Sequence, residues 1–294
     1  MSSIRTLRTF LAVARLGSFA AAGDEVGLTP AAVGLRMRAL EADLNRPLFD
    51  RGARAVVLNT AGRQLVPQVE RLVAEYEALA AGGEGEGEAL TGTVVMGALV
   101  SALMGAFADA LWAIRQDHPR LEVKLFAGQS GTFAEKVLRG ELDAAVVMQS
   151  PRPLPASVTW TRLYSEPMVL IVPRRPHFRL PDDPLAILRE TPFIRFDRET
   201  WTGLLVKRVL RKAGVTVTDG MELNSVEAIV AIVRQGFGVS IVPRLANVDW
   251  RRDRDLRVIA VPGVDEARHV GLLERVHHSR MRFTAAIKGY FGAA

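Results

Sequence analysis

The chain of 294 residues contains no cysteine. That absence excludes thiol nucleophiles, cysteine-based metal sites and a disulfide framework, and it suits a reducing compartment. Histidine is scarce, with five in all: His277 and His278 are adjacent rather than one helical turn apart, His118 and His177 stand beside prolines, and no His-Glu-x-x-His run occurs. No metal centre is expected from that set. A Gly-x-Ser-x-Gly elbow is missing too, and Gly236-Phe237-Gly238, without the rest of a dinucleotide fingerprint, reads as a helix stop before a strand. No cofactor is expected, and no general base stands beside a nucleophile signature, which argues against an enzyme. Apolar runs are too short or too interrupted to span a bilayer, and Met1-Ser2-Ser3-Ile4-Arg5 has no signal-peptide form. The expectation is a cytoplasmic protein with no membrane partner.

Lysine is absent from residues 1–63, where nine arginines face five carboxylates for a net charge of +4. A GC-rich genome is one explanation of the arginines; a phosphate-bearing partner is another, since that sign favours binding to a nucleic-acid backbone. The spacing of the segment favours the second. Leu7, Phe10, Leu11 and Ala14 recur at helical intervals up to a stop at Gly17. Ser18 then caps an alanine-rich helix, Val26-Gly27-Leu28 turns the chain, and Thr29-Pro30 supplies an N-cap followed by proline at the first helical position. The third helix places Val33, Met37, Leu40 and Leu44 on one face and Arg36 and Arg38 elsewhere, and Arg51 and Arg54 flank a glycine before a short alternating run that suits a hairpin wing. Two helices joined by a tight turn can set the second in a major groove while a wing grips the flanking backbone.

These residues resemble the N-terminal winged helix-turn-helix of LysR-type transcriptional regulators. The family's run stands here as Gly17-Ser18-Phe19, Ala21-Ala22, Leu40-Glu41, Leu48-Phe49-Asp50-Arg51 and Leu58-Asn59-Thr60-Ala61-Gly62. The resemblance implies double-stranded promoter DNA as a partner, with Ser18, Thr29, Pro30, Ala31, Gly34, Leu35, Arg36, Arg38, Arg51 and Arg54 at the DNA. One departure is clear: where the family commonly shows Ser-Gln-Pro-Ala-Val-Ser, this chain has Thr29-Pro30-Ala31-Ala32-Val33-Gly34, so several polar base readers are missing. Thymine-methyl contacts from Ala31 or Leu35, hydrogen bonds from Arg36, or shape readout by the wing arginines would have to replace them. Gly34 costs its helix about 1 kcal/mol relative to alanine; close approach to phosphate and simple drift both account for it.

From Asn59, which the pattern sets as the cap, Leu65, Val69, Leu72, Tyr76 and Leu79 alternate in steps of four and three, a heptad seam that favours pairing between chains, although it could instead pack on its own head. Pro67 should bend this helix. Glycines and three glutamates follow in 80–90. The expected organisation is therefore a winged helix-turn-helix head over 1–63, a linker and dimerisation helix over 59–81, a flexible linker over 82–90, and a further domain over 91–294.

That domain alternates strand-like runs (93–99, 121–127, 142–148, 167–173, 237–243 and 256–262) with helical ones (103–119, 132–141 and 225–236), an α/β pattern that predicts parallel sheets covered on both faces. The order resembles the effector-binding domain of the same family, which is similar to bilobal periplasmic binding proteins. The resemblance implies two Rossmann-like lobes, lobe one from 91–163 with 267–294 and lobe two from 164–266, and an effector in the cleft between them. Ser101, Ser130 and Ser225 fall at helix starts, where exposed amides suit a carboxylate and where each serine would equally serve only as an N-cap. Gln129, Met148, Phe196 and Trp201 are further lining candidates, and the apolar turn Ala98-Leu99-Val100 suits an effector with a hydrophobic body.

The resulting expectation is an effector-gated regulator that reads an interrupted palindrome as a homodimer or homotetramer. A diverged member that dimerises and binds ligand without reading sequence, and a cytoplasmic small-molecule binder, are the competing readings.

Overall fold

The computed structural model describes residues 3–50, 56–80, 90–246 and 248–292. Two compact units result, Met1–Glu88 with Arg275–Met281 and Ala89–Glu274 with Arg282–Ala294.

In the first unit, α1 (Ile4–Leu16) is capped by Ser3 and ends at Gly17, whose φ of 61° is the left-handed conformation that favours glycine. The Ser18 hydroxyl accepts from the Ala21 amide to start α2 (Phe19–Val26), and Thr29 accepts from Ala32 to start α3 (Pro30–Asp43), with Pro30 at its first position. Between α2 and α3 the chain turns so tightly that a Cβ on Gly23 would stand 2.4 Å from the Leu28 carbonyl oxygen. Phe10, Val33, Met37, Leu40 and Leu48 fill the core, with Phe49 edge-on to Phe10 and Phe19.

The root of the wing is built by two side chains, Glu41 and Asn59, and the close packing of one glycine, Gly62, against residues 47–49. The Glu41 Oε1, at the end of α3, accepts from the amides of Leu48 at 2.7 Å and Phe49 at 3.3 Å. Asn59 donates to the Pro47 carbonyl and accepts from the Gly62 amide, both at 2.9 Å, and so caps α4 (Thr60–Ala80) while holding the preceding loop. Gly62 packs against Leu48 so closely that a Cβ would lie 2.3 Å from its carbonyl oxygen. Beyond the antiparallel bridge between Phe49 and Leu58, the wing residues Arg51 and Arg54 lie outside the described residues, as do 82–89 of the expected linker.

The heptad stripe on α4 divides. Leu65, Val69 and Val73 pack into the head's own core, whereas Leu72 and Tyr76 are 51% and 46% exposed; Leu79 lies outside the described side chains. A straight helix falls about 20° short of two full turns per heptad, so the row that meets the head drifts off the a/d positions. The helix runs through Pro67.

The second unit opens with β1 (Gly92–Leu99), the single turn α5 (Val100–Leu103) and α6 (Ala106–Asp117). Next come β2 (Leu121–Gly128), α7 (Ser130–Leu138), β3 (Ala144–Met148) and the sixteen-residue β4 (Val158–Pro173). The chain continues through α8 (Pro184–Glu190), β5 (Pro192–Phe196), α9 (Trp201–Lys212), β6 (Thr218–Leu223), α10 (Val226–Arg234) and β7 (Ser240–Pro243). It closes with β8 (Leu256–Ala260), β9 (Ala267–Arg275) and α11 (Met281–Tyr290).

Strand order is β2-β1-β3-β9-β4-β7, with β8 also on β4. The sheet is mixed rather than wholly parallel: β1 runs parallel to β2 and β3, but β9 is antiparallel to β3, and β7 and β8 are antiparallel to β4. No helix separates β8 from β9, so the return has no crossover of the kind that parallel pairing needs. One half of the domain is β2-β1-β3-β9; the other gathers β7, β8 and the parallel pair β5-β6, which meets β7 at the Phe193–Val239 bridge. β4 belongs to both, beside β9 early and between β7 and β8 from Met168 onward.

Within the second half, Arg234 at the end of α10 holds Asp253 at 2.7 Å. Burial acts to raise the Asp253 carboxyl, but amides of Asp255 and Leu256 and the Arg234 guanidinium outweigh it, leaving the group below its ordinary value of 3.8.

Two outcomes follow. A depressed folded value means Asp253 stabilises the fold above its unfolded value and ceases to do so as pH falls through the folded one; Asp253→Asn should therefore melt lower than the parent at neutral pH and match it at strongly acid pH, measured by calorimetry. In the head, a Cβ at Gly34 would meet only the Phe19 ring at 3.7 Å, an ordinary contact. Gly34→Ala should slow hydrogen exchange of α3 amides by about 1 kcal/mol in opening free energy, whereas Gly62→Ala should accelerate exchange across the head.

Candidate DNA-reading face and effector cleft

Helical spacing sets Ala31, Leu35 and Arg38 on one stripe of α3, and all three are exposed, Leu35 at 65%. Thr29 and Pro30 lie exposed at the helix start. Arg38 has no carboxylate partner among the described residues. Arg36 sits differently: it is half-buried and donates to the Thr9 hydroxyl at 3.4 Å, while Thr9 donates to the Arg5 carbonyl at 2.8 Å. Gly34 lies over Phe19, and Ser18 is half-buried at its cap. The outward surface of α3 thus combines methyl groups, a leucine and one free guanidinium, with few neutral hydrogen-bonding side chains.

In the binding domain, α7 of one half and α9 of the other bring their N-termini together. Gln129, the N-cap residue of α7, makes no side-chain cap; its amide nitrogen reaches instead to the Asn224 carbonyl at 2.7 Å in the other half. The first-turn amides of α7 are therefore left without a side-chain acceptor. Trp201 begins α9 and holds its indole nitrogen over Gly131, 3.5 Å from where a Cβ would stand, and that N–H has no acceptor among the described residues. Buried Ser130 accepts from the Met148 amide at 3.2 Å, and Thr202 donates to the Met148 sulfur at 3.5 Å. An open helix N-terminus beside an indole N–H is a set of donors suited to an anion.

The other sequence candidates are placed differently. Ser225 accepts from the Ala228 amide at 3.2 Å and donates to Glu227 at 2.6 Å, so it is the cap of α10. Phe196 is 3% exposed and sits in the apolar core, lining no cleft; a five-residue apolar strand did not reveal which face each ring would take. Ser101 is buried, and its hydroxyl accepts from Arg268 at 2.9 Å.

Arg268 is the residue that sequence reasoning missed. It lies on β9 at 1% exposure and is bound by Glu166 of β4, itself 1% exposed, at 2.5 and 2.8 Å. Tyr164 stands close by: burial, then the Glu166 carboxylate, push its phenol up, and Arg268 only partly offsets them. The available signal was a charged residue beside the apolar run of each strand, Glu166 before Pro167-Met168-Val169-Leu170 and Arg268 shortly before Val270-Gly271-Leu272-Leu273.

A helix-turn-helix head followed by a long helix and a two-halved α/β binding domain is the build of a ligand-responsive DNA-binding regulator. Comparison with known proteins agrees. A family model described as "Bacterial regulatory helix-turn-helix protein, lysR family" matches residues 4–63, and one described as "LysR substrate binding domain" matches 87–288. The HTH-type transcriptional regulator CbbR of Xanthobacter flavus is 31% identical over 275 residues, covering 90% of this chain and 80% of that protein. IlvR of Caulobacter vibrioides is 29% identical over 255 residues, covering 84% and 86%. Among solved structures, a full-length OxyR variant from Pseudomonas aeruginosa shares the fold with a TM-score of 0.71 at 19% identity, covering 99% of this chain and 95% of that one. Full-length CbnR in complex with its target DNA gives 0.56 at 21%, covering 98% and 99%. The chain belongs to the LysR family, and it is a DNA-binding transcriptional regulator with an effector-binding domain. Among the described residues no helix is long and apolar enough to cross a membrane.

Removing one member of a buried ion pair leaves the other uncompensated, at a cost of about 3–5 kcal/mol. Glu166→Ala should therefore lower the stability of the binding domain by that order in urea denaturation, with Ser101→Ala costing far less because Arg268 keeps its carboxylate.

Proposed function

We propose that this regulator works in the cytoplasm, without enzymatic activity of its own, and pairs through α4 to read an interrupted palindrome with two copies of α3. A small carboxylate with an apolar body, held in the cleft of the binding domain, sets its response. The observation that carries the DNA reading is the outward stripe Ala31, Leu35 and Arg38, which would set two apolar side chains against thymine methyls and a guanidinium against guanine or phosphate. Thr29 and Pro30 would lie at the backbone, with Arg51 and Arg54 gripping it from the wing and Arg36 contributing through its hold on α1. Leu72 and Tyr76, apolar and exposed one turn apart on α4, support pairing with a second copy.

For the effector, the open N-terminus of α7 at Gln129 and Ser130 and the Trp201 indole N–H support a carboxylate site, with Met148 beneath it. A ligand touching α7 and α9 together favours the closed arrangement of the two halves by its differential affinity for it.

Fluorescence anisotropy against the DNA upstream of the protein's own gene and a scrambled control, over rising salt, tests this. Preference for the native sequence should survive salt, and Arg38→Ala should reduce it by about 1–3 kcal/mol if the residue reads a base, or weaken both DNAs equally and lower the salt slope by about one if it binds phosphate. Equal, steeply salt-dependent binding to both DNAs by the parent protein would remove sequence reading from the proposal. Trp201→Ala should abolish the shift produced by an active carboxylate without altering basal DNA affinity.

A further inference from the structure

A second cavity, of about 640 Å³, opens along the outer face of α9, away from that helix's buried row of Leu205, Val206 and Val209. Its size is that of small-molecule sites. Lys207 and Arg211, one turn apart on α9, line it together with Arg195 and Arg198 from the β5 end, and Arg152 joins them from the loop between β3 and β4. Glu199 is the one acidic residue in the lining.

The charges are not all available. Asp219 binds Arg195 at 2.6 Å and also holds Arg198, with Glu222 3.9 Å from the latter. Arg152, Lys207 and Arg211 are exposed and have no carboxylate partner among the described residues. Setting the five lining cations against Glu199 and the two carboxylates on Arg195 and Arg198 leaves an excess of two positive charges around one concavity. Leu210 and Val215 give it an apolar floor. Like charges left facing one cavity repel, and a bound anion relieves that repulsion while making several charge-assisted hydrogen bonds at once.

We propose that this pocket is a second ligand site, selective for a small polyanion such as a multiply phosphorylated metabolite, and distinct from the carboxylate cleft at α7. Two features give it a regulatory geometry. Arg152 belongs to one half of the domain and α9 to the other, so an anion bridging Arg152 to Lys207 and Arg211 favours their approach. The same α9 carries Trp201 at its start, so the two sites share one rigid element. The proposal stands without the cleft assignment.

The test is isothermal titration of the full-length protein with inorganic pyrophosphate, against sodium chloride and sodium sulfate at matched ionic strength. Saturable pyrophosphate binding is expected, weakened about tenfold or more for each charge-assisted contact removed in Lys207→Gln, Arg211→Gln and Arg152→Gln. Lys207→Arg should retain it. All three side chains are exposed, so unchanged melting without ligand separates lost binding from misfolding, and the single variants can be read independently. Heat that follows ionic strength whatever the anion, or wild-type affinity in the triple glutamine variant, would overturn the site; the latter would place the anion on the arginines of the head. Competition by a short single-stranded oligonucleotide with no preference for pyrophosphate would also overturn it, by showing a nucleic-acid surface instead.

Discussion

Arg268 occupies a position where a cation is costly, 1% exposed on β9, and two other strands or turns of the binding domain supply groups that satisfy it. Glu166 supplies the opposing charge from β4, and Ser101 supplies a further acceptor from the first turn after β1. Glu166 cannot move off without leaving a buried charge unpaired, a loss larger than most single contacts in a domain of this size. The pair sits where β4 leaves β9 for β7 and β8, which is where one half of the domain gives way to the other.

The head solves a related problem with smaller groups. Its wing must project from a fixed root, and Glu41 and Asn59 fix that root by satisfying amides and a carbonyl of residues 47–49, with Gly62 packed against Leu48. Residues that serve as a sequence signature are here structural: the Glu41 carboxylate holds backbone amides, and Gly62 is glycine because Leu48 leaves no room for a Cβ. The departure from the usual pattern lies instead at the start of α3, over Thr29–Gly34.

Local signals in the sequence were legible because their causes are local. Ser18, Thr29 and Asn59 each cap the helix that begins one residue later, and Gly17 and Gly27 take positive φ at helix ends. The heptad stripe on α4 was legible as apolar but not as divided, since periodicity shows that a face is buried and not what buries it; Leu65 and Val69 found the head, while Leu72 and Tyr76 did not. The mixed sheet escaped because strand runs carry no mark of direction. The ion pair escaped because its partners lie 102 residues apart, and Ser101 lies 167 residues from Arg268. Phe196 went to the core because a residue type in a short strand fixes its element but not the direction of its side chain, whereas Ser225 took the cap that was one of its two readings.

The composition of the α3 stripe has a consequence for how sequence is read. Hydrogen-bonding side chains discriminate among bases because an unmatched donor or acceptor is left unpaired. Set against bases as proposed, Leu35 and Ala31 would offer no such penalty, contributing burial of a methyl group against thymine and only its loss against other bases. A reader built this way gains discrimination in smaller steps and depends more on the backbone contacts that fix its register and on the deformability of the duplex between half-sites. The net charge of +4 over residues 1–63, carried wholly on arginine, supplies the backbone term. In a paired molecule the position of the second head then becomes part of the specificity itself, since two weakly discriminating faces held at one spacing select operators that neither would select alone.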